Sequence, residues 1–418
     1  MARPVVHIAG AGLAGLAAAV KLAGRGSVFD IVIYDAARQA GGRCRSYFDS
    51  SLGMVIDNGN HLLLSGNLAA RRYLDAIGAS DALSAPARAE FSFLDLETNE
   101  RWRVRPNDGP LPWWIFFRNR RAPHTNWRDY LTLARLLVPG ADRPIKQAMP
   151  CQGGLYERLW RPFLLAALNT EPSEGSTRLA GAVVRETLAK GGRACRPMFA
   201  ARGLSAAFVE PALLYLKMRG ADIRLDHRLR AVSFSAGRAS GLDFGDATAT
   251  LGPADHLILA VPPQIAQDLL PGTGAPQTSR AIVNAHFKIA PPADFPAILG
   301  VVNGLTEWIF SFPDRISVTI SGADRLLEAP REKLAADIWS EIQRATGLGA
   351  ALPPWQIIKE KRATFAATPE ENARRPGAKT AYNNLALAGD WTATGLPATI
   401  EGAIRSGNCA AELIINRA

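Results

Sequence analysis

Two kinds of segment recur along the chain. Short all-apolar runs read as buried strands, and longer Ala- or Leu-rich runs read as helices. PVVHIA at 4–9 and FDIVIYD at 29–35 are of the first kind, with an Ala/Leu-rich stretch between them that reads as a helix to about Gly24. Further on, ALLYLKMRGADIRLDHRLRAVSF at 212–234 predicts a helix, a glycine turn and a strand, and DHLILAVPP at 255–263 predicts a buried strand leaving into a proline turn. Near the end, LALAG at 385–389 predicts a last strand that runs into Asp390 and then a turn punctuated by Gly and Pro, with Pro397 in the first turn of a closing helix. Strands that alternate with helices and lack polar alternation fit a parallel sheet covered on both faces, so the fold class is α/β.

The middle of the chain follows a different pattern. GGLYERLWRPFLLAALNTEP at 153–172 predicts an apolar helix interrupted at Pro162, suited either to core or to the wall of a greasy cavity. LPWWIFFRNRRAPHTNWRDYLTLARLLV, from 111 onward, mixes Trp113, Trp114, Phe116 and Phe117 with several arginines. Rings beside cations suit a membrane interface, and the alternative for the same rings is ordinary core. Residues 111–137 are therefore a candidate membrane-facing segment.

Between the first two strands lies Gly10-Ala11-Gly12-Leu13-Ala14-Gly15, and Asp35 follows Gly15 at roughly the 20-residue spacing of a dinucleotide fold. Gly10 permits the tight turn, Gly12 lets backbone approach a pyrophosphate, and Gly15 lets helix and strand pack closely. The N–H groups at Leu13 and Ala14 receive the negative charge, and Asp35 accepts from the adenosine ribose. NAD and FAD both remain open on this motif alone. The next turn, Gly41-Gly42-Arg43-Cys44-Arg45-Ser46, offers two forked cations suited to a pyrophosphate, which a longer dinucleotide such as FAD has room to use. Asp57-Asn58-Gly59-Asn60-His61 is another polar turn after an apolar strand.

Length and composition narrow the classes. At 418 residues, 48% hydrophobic and 21% charged, the chain is long for one compact unit and predicts two intertwined domains. Four scattered cysteines, Cys44, Cys151, Cys195 and Cys409, with no CxxC or Cys/His cluster, argue against a zinc site or a disulfide framework and fit a reducing cytoplasmic setting. No apolar run reaches the length of about 18 residues needed to span a membrane, and the signal-like start is interrupted by glycines and Lys21. The net charge of +10 is spread out, with RNRR at 118–121 its only dense run, and nothing here points to nucleic acid.

Taken together, GAGLAG, Asp35, GGRCRS, DNGNH and AGDW…GLPATIEGA resemble the FAD-dependent amine oxidase and carotenoid desaturase superfamily. The resemblance implies a discontinuous Rossmann-like FAD-binding domain at 1–70, 200–285 and 375–418, with an interleaved α+β substrate domain at 71–199 and 286–374. It also implies that Gly42, Arg43 and Arg45 meet the cofactor phosphates and that Gly59, Asn60 and His61 lie beside the isoalloxazine. A strand carrying Leu229 would contact the adenine. Gly389 and Asp390 would reach the ribitol, a group that FAD has and NAD lacks, and Ala398, Thr399 and Ile400 would present N–H groups to the ring. No cysteine stands just ahead of Asp390 for a covalent link, so the FAD is expected to be non-covalent.

LWRPFLLAALNTEP and the form AGDWTATGLPATIEGA are similar to the squalene-associated subgroup, the hydroxysqualene dehydroxylases. That likeness implies an apolar isoprenoid substrate and reductive loss of a hydroxyl. The single dinucleotide signature predicts an external electron donor, and the aromatic, basic segment at 111–137 is the feature that suits peripheral contact with the inner face of the cytoplasmic membrane. The same motifs serve a phytoene-type desaturase, an amine oxidase or a prenyl-lipid escort protein on the same fold. The catalytic acid is not assigned, since His61 alone is more readily a cofactor contact.

Overall fold

The computed structural model describes residues 3–417. Five parallel strands form one sheet in the order Leu385–Leu387, His256–Leu259, Val5–Ala9, Asp30–Tyr34, Asp222–Arg224. Ile8 lies level with Ile33 on one side and Ile258 on the other, all three fully buried. This is the both-faces-covered sheet that unbroken apolar runs require. Helix Leu13–Ala23 buries every residue but Lys21, and helix Ile400–Ile415 crosses it so closely that a Cβ on Gly407 would sit 2.1 Å from the Ala14 carbonyl oxygen.

Seven strands form a second, mixed sheet, in the order Trp355–Phe365, Ser279–Phe287, Ile316–Ile320, Trp308–Ser311, Ile298–Val302, Phe91–Asp95, Arg101–Val104. Its period-2 alternation divides two environments. Val283, Ala285, Val318, Ile320 and Ile309 share a core with Leu334, Ile338 and Ile342 of helix Arg331–Thr346. Their neighbours Ile282, Asn284, Thr319, Ser321, Trp308 and Phe310 face a cavity.

Four expectations are corrected. The strand read at 222–234 is two short ones, Asp222–Arg224 in the parallel sheet and Ala231–Ser235 in a separate antiparallel sheet. Asp226 breaks it with a positive φ of 58°, and Leu229 lies in the connection rather than on a strand. Ser279–Phe287 begins inside the 200–285 segment yet pairs along its length with strands of the second sheet. Pro162 does not break the helix around it. A π-helical turn, Tyr156–Trp160, runs directly into α-helix Arg161–Leu168, so the proline sits where its missing N–H costs least. Pro397 precedes the last helix instead of opening it. Thr399 is the cap, its Oγ1 accepting the Gly402 N–H at 3.0 Å.

The aromatic segment is split. Trp114 and Ile115 are buried, whereas Trp113, Phe116 and Phe117 are exposed. A 3₁₀ turn at Trp113–Phe116 explains this, because three residues per turn put Trp113 and Phe116 on one side and Trp114 on another.

Candidate active site

A cavity of about 1190 Å³ opens between the two sheets. It exceeds the roughly 300–1,000 Å³ of a pocket for one small molecule. Gly10, Gly12, Leu13, Ala14, Asp35, Gly42, Arg43, Arg45, Gly59, Asn60, His61, Leu229, Gly389, Asp390, Ala398, Thr399 and Ile400 all line it, and Gly15 does not.

The glycines of the first turn have distinct physical reasons. Gly10 has φ +110°, and a Cβ there would lie 2.3 Å from the Ala260 carbonyl oxygen; on Gly15 it would lie 1.9 Å from the Gly10 oxygen. Both are glycine because protein backbone touches them. Gly12 differs, since a Cβ there would meet no protein atom within 4 Å. It keeps a space clear inside the cavity, as a backbone that must approach a ligand requires. Asp35 is fixed by two N–H donors, Ala11 at 2.7 Å and Ala37 at 2.8 Å, which hold its carboxylate at the cavity wall.

The second glycine turn is arranged differently from expectation. Arg43 directs its guanidinium to the carboxylate of Asp390, its Nη2 donating to both oxygens at 2.7 Å, and its Nη1 donates to the Ala363 carbonyl oxygen. Asp390 therefore meets a cation of the chain itself, and the attraction between the two raises the Arg43 pKa. Each carboxylate oxygen keeps a further lone-pair site for a hydroxyl. Arg45 folds back onto its own turn, donating to the Gly42 carbonyl oxygen at 2.8 Å.

The Asn58–His61 loop is tied to the second sheet. The Asn284 amide accepts the Asn60 N–H and donates to the Asn58 carbonyl oxygen, both at 3.4 Å, while Asn58 Nδ2 donates to Glu360 at 3.1 Å. Thr319 Oγ1 accepts from Asn60 Nδ2 at 3.2 Å and donates to Asn284 at 2.8 Å. Gly59 leaves no room for a side chain, since a Cβ would lie 2.8 Å from Asn284 Nδ2. Under the loop, buried His286 bridges the Asp57 carbonyl oxygen at 3.1 Å and Ser317 Oγ at 2.8 Å. His61 is partly exposed and lines the cavity. Burial first, and the Arg43 charge second, lower its pKa to about 4.

These partners were missed in the sequence because nothing local marks them. Asn284 and Thr319 alternate with apolar residues like any half-buried strand residue, and only tertiary pairing brings them beneath the loop. Arg375 was also missed. It is buried, with its pKa lowered to about 10 by desolvation, and it holds the Asp390 turn by donating to the backbone oxygens of Asp390, at 3.2 Å, and Trp391, at 3.3 Å. Trp391 Nε1 donates to the Val261 carbonyl oxygen at 2.9 Å, closing the turn against the next strand.

Away from these polar turns the lining becomes apolar. Phe91, Phe93 and Trp308 on the second sheet line the cavity together with Trp160 of the π-helical turn, Phe163 of the α-helix that follows, and Trp114. A flavin dinucleotide fits the polar part, with the space at Gly12 for its phosphates. Asn60 Oδ1, a buried acceptor with no protein partner, belongs to a loop that lines the same cavity.

Residues 13–415 match the model of the flavin-containing amine oxidoreductases. The chain belongs to the flavin-containing amine oxidoreductase family. As a member it is an FAD-dependent oxidoreductase on a Rossmann-like α/β fold. It is 56% identical over 411 residues, 98% of both chains, to the hydroxysqualene dehydroxylase of Rhodopseudomonas palustris. It is 48% identical over 412 residues, 99% of both chains, to that of Zymomonas mobilis. Among solved structures, cyclohexylamine oxidase from Brevibacterium oxydans superposes with a TM-score of 0.70 at 16% identity over 99% of both chains. Putrescine oxidase bound to putrescine gives 0.69 at 18%, again over 99% of both chains. At such identities these two structures speak for the fold of this family member and not for its substrate.

Proposed function

We propose that the chain reduces hydroxysqualene to squalene. The observation that carries this reading is the full-length likeness to relatives named for that activity, on a chain whose cofactor cradle opens into an apolar cavity. In the reaction a C–O bond breaks, a proton joins the leaving oxygen to give water, and a hydride forms the new C–H bond. Bound reduced FAD supplies that hydride.

The chain's own groups serve four tasks. Gly12, Leu13 and Ala14 would hold the phosphates, Asp35 the adenosine ribose and Leu229 the adenine. Arg43 and Asp390, held by Arg375, form the polar midsection. Thr399 caps a 16-residue helix whose N-terminal dipole, at Ala398–Ile400, favours negative charge on a reduced ring. Phe93, Trp114, Trp160, Phe163 and Trp308 exclude water from a reacting centre that passes through cationic character. His61, unprotonated at neutral pH, is a cofactor contact and a poor proton donor.

The FAD unit is read as 1–70, 200–278 and 375–418, since strand Ser279–Phe287 pairs within the second sheet. Electrons come from an external donor, because a single dinucleotide signature is present. Among the described residues no helix is long and apolar enough to cross a membrane. The site of action assigned here is the cytoplasmic face of the membrane, reached peripherally. Incubating the reduced enzyme with hydroxysqualene, and separately the oxidised enzyme in air with a phytoene-like polyene, tests the reading. Squalene from the first is expected, and a desaturated product from the second alone overturns it.

A further inference from the structure

We propose that the exposed segment 111–138 is a docking face for an anionic phospholipid surface, joined through one of its turns to the apolar half of the cavity. Leu111, Trp113, Phe116, Phe117, Trp127, Leu131 and Val138 are all exposed large hydrophobics in this one segment, whereas those elsewhere among the described residues lie singly or in pairs such as Phe48 with Val55. Trp113, Phe116, Phe117 and Trp127 form a patch, since Trp113 packs edge-on against Phe117 at 5.6 Å and Phe116 against Trp127 at 5.4 Å between ring centroids. A contiguous apolar patch with a polar rim marks an interaction site.

The rim decides the partner. Residues 111–138 carry five arginines, Arg118, Arg120, Arg121, Arg128 and Arg135, against one acid, Asp129. Asp129 is already engaged, accepting the Asn126 N–H at 2.7 Å. Arg120 lies over the Trp113 ring at 4.9 Å and Arg128 over Trp127 at 5.4 Å. Cations carried on the rims of exposed rings match a headgroup layer, where rings sit at the interface and arginines meet phosphate.

The patch also has an inner side. Trp114, from the same 3₁₀ turn as Trp113 and Phe116, lines the cavity, and it packs through Tyr130, at 5.2 Å and 5.6 Å, against Trp160, another cavity residue. One turn thus joins the outer aromatic layer to the cavity wall. The choice of a lipid occupant rests on the isoprenoid reading of the substrate, a molecule dissolved in the bilayer rather than in water, and docking would deliver it without an aqueous crossing.

The test is sedimentation of the FAD-loaded full chain with mixed phosphatidylglycerol–phosphatidylcholine vesicles and with pure phosphatidylcholine vesicles. Binding to the anionic vesicles that weakens with salt is expected. A W113S/F116S/F117S variant and an R118Q/R120Q/R128Q variant should each lose at least about tenfold in partitioning, with flavin absorption unchanged as the folding control. Both variants should retain turnover of substrate in detergent micelles while losing it with substrate in vesicles. Absence of vesicle binding by the wild-type chain overturns the proposal and leaves a protein partner for the patch. Binding that neither variant weakens also overturns it. Because sedimentation needs no turnover, failure of the substrate reading is told apart from failure of the docking face.

Discussion

Arg43 and Asp390, 347 residues apart, meet at the middle of the cavity, where one guanidinium nitrogen donates to both carboxylate oxygens at 2.7 Å. The pair joins the second glycine turn to the end of the last parallel strand. Arg43 is partly open to the cavity while Asp390 is buried, so the two partners are unequal.

Asp390→Asn keeps the shape and removes the charge that Arg43 faces. Because Arg43 retains access to the cavity, its unpaired charge costs less than a fully buried one. FAD affinity is expected to fall on the order of tenfold, with thermal stability of the FAD-loaded form falling in parallel. Titration of apoprotein with FAD checks this, and unchanged affinity would show that the pair holds only the fold.

The first glycine turn offers a contrast. Gly12 has φ −72° and ψ 176°, a conformation open to any residue, and a Cβ there enters empty space. Gly12→Val should leave apoprotein stability within about 0.5 kcal/mol and abolish flavin retention. Gly15→Ala places its Cβ 1.9 Å from the Gly10 oxygen and should destabilise by about 1–3 kcal/mol or more through backbone displacement. Calorimetry beside the visible spectrum separates the two.

This difference also marks how far the sequence could be read. The GAGLAG turn, Asp35 and the strands flanking them are local features, and their physics is contained in about thirty consecutive residues, so they were legible. The Arg43–Asp390 pair, the Asn284–Thr319 support under Asn60, and the Arg375 clamp each join segments that only the tertiary fold brings together. Leu229 lines the cavity from a connection rather than from a strand, because one residue of positive φ, Asp226, divides a sequence that otherwise reads as one strand. The aromatic segment was ambiguous because adjacent tryptophans on a 3₁₀ turn have opposite fates, a distinction invisible to composition.

Buried His286 and the partly exposed His61 set an acid-side pH dependence. Burial lowers the pKa of His286 to about 3 and that of His61 to about 4 from an ordinary 6.5. In the unfolded chain both take up protons near pH 6.5, while the folded chain refuses them until the lower values. Stability is therefore whole above about pH 6.5 and declines as pH falls toward 4 and 3. His286→Asn should lower stability at pH 7.5 by about 1–3 kcal/mol, since the Asp57 carbonyl and Ser317 lose their bridge, and should flatten the acid-side slope. Denaturant midpoints measured across that range check both effects.

Glu307 acts with the opposite sign. Burial raises its pKa from 4.5 to about 7, only partly offset by the Ser321 N–H at 2.7 Å. The unfolded chain ionises near pH 4.5 and the folded chain resists, so this residue costs stability increasingly as pH rises from 4.5 to 7. Glu307→Gln keeps an acceptor for Ser321 and should be more stable than the wild type at pH 8, with no advantage at pH 4.5. Equal behaviour at both values would contradict it.

The central claim is reductive removal of a hydroxyl at an apolar cavity beside FAD, and one anaerobic experiment addresses it directly. Photoreduced enzyme mixed with hydroxysqualene should show the oxidised flavin spectrum returning as squalene forms in equal amount. A flavin that stays reduced in the presence of hydroxysqualene, with no squalene formed, would contradict the account.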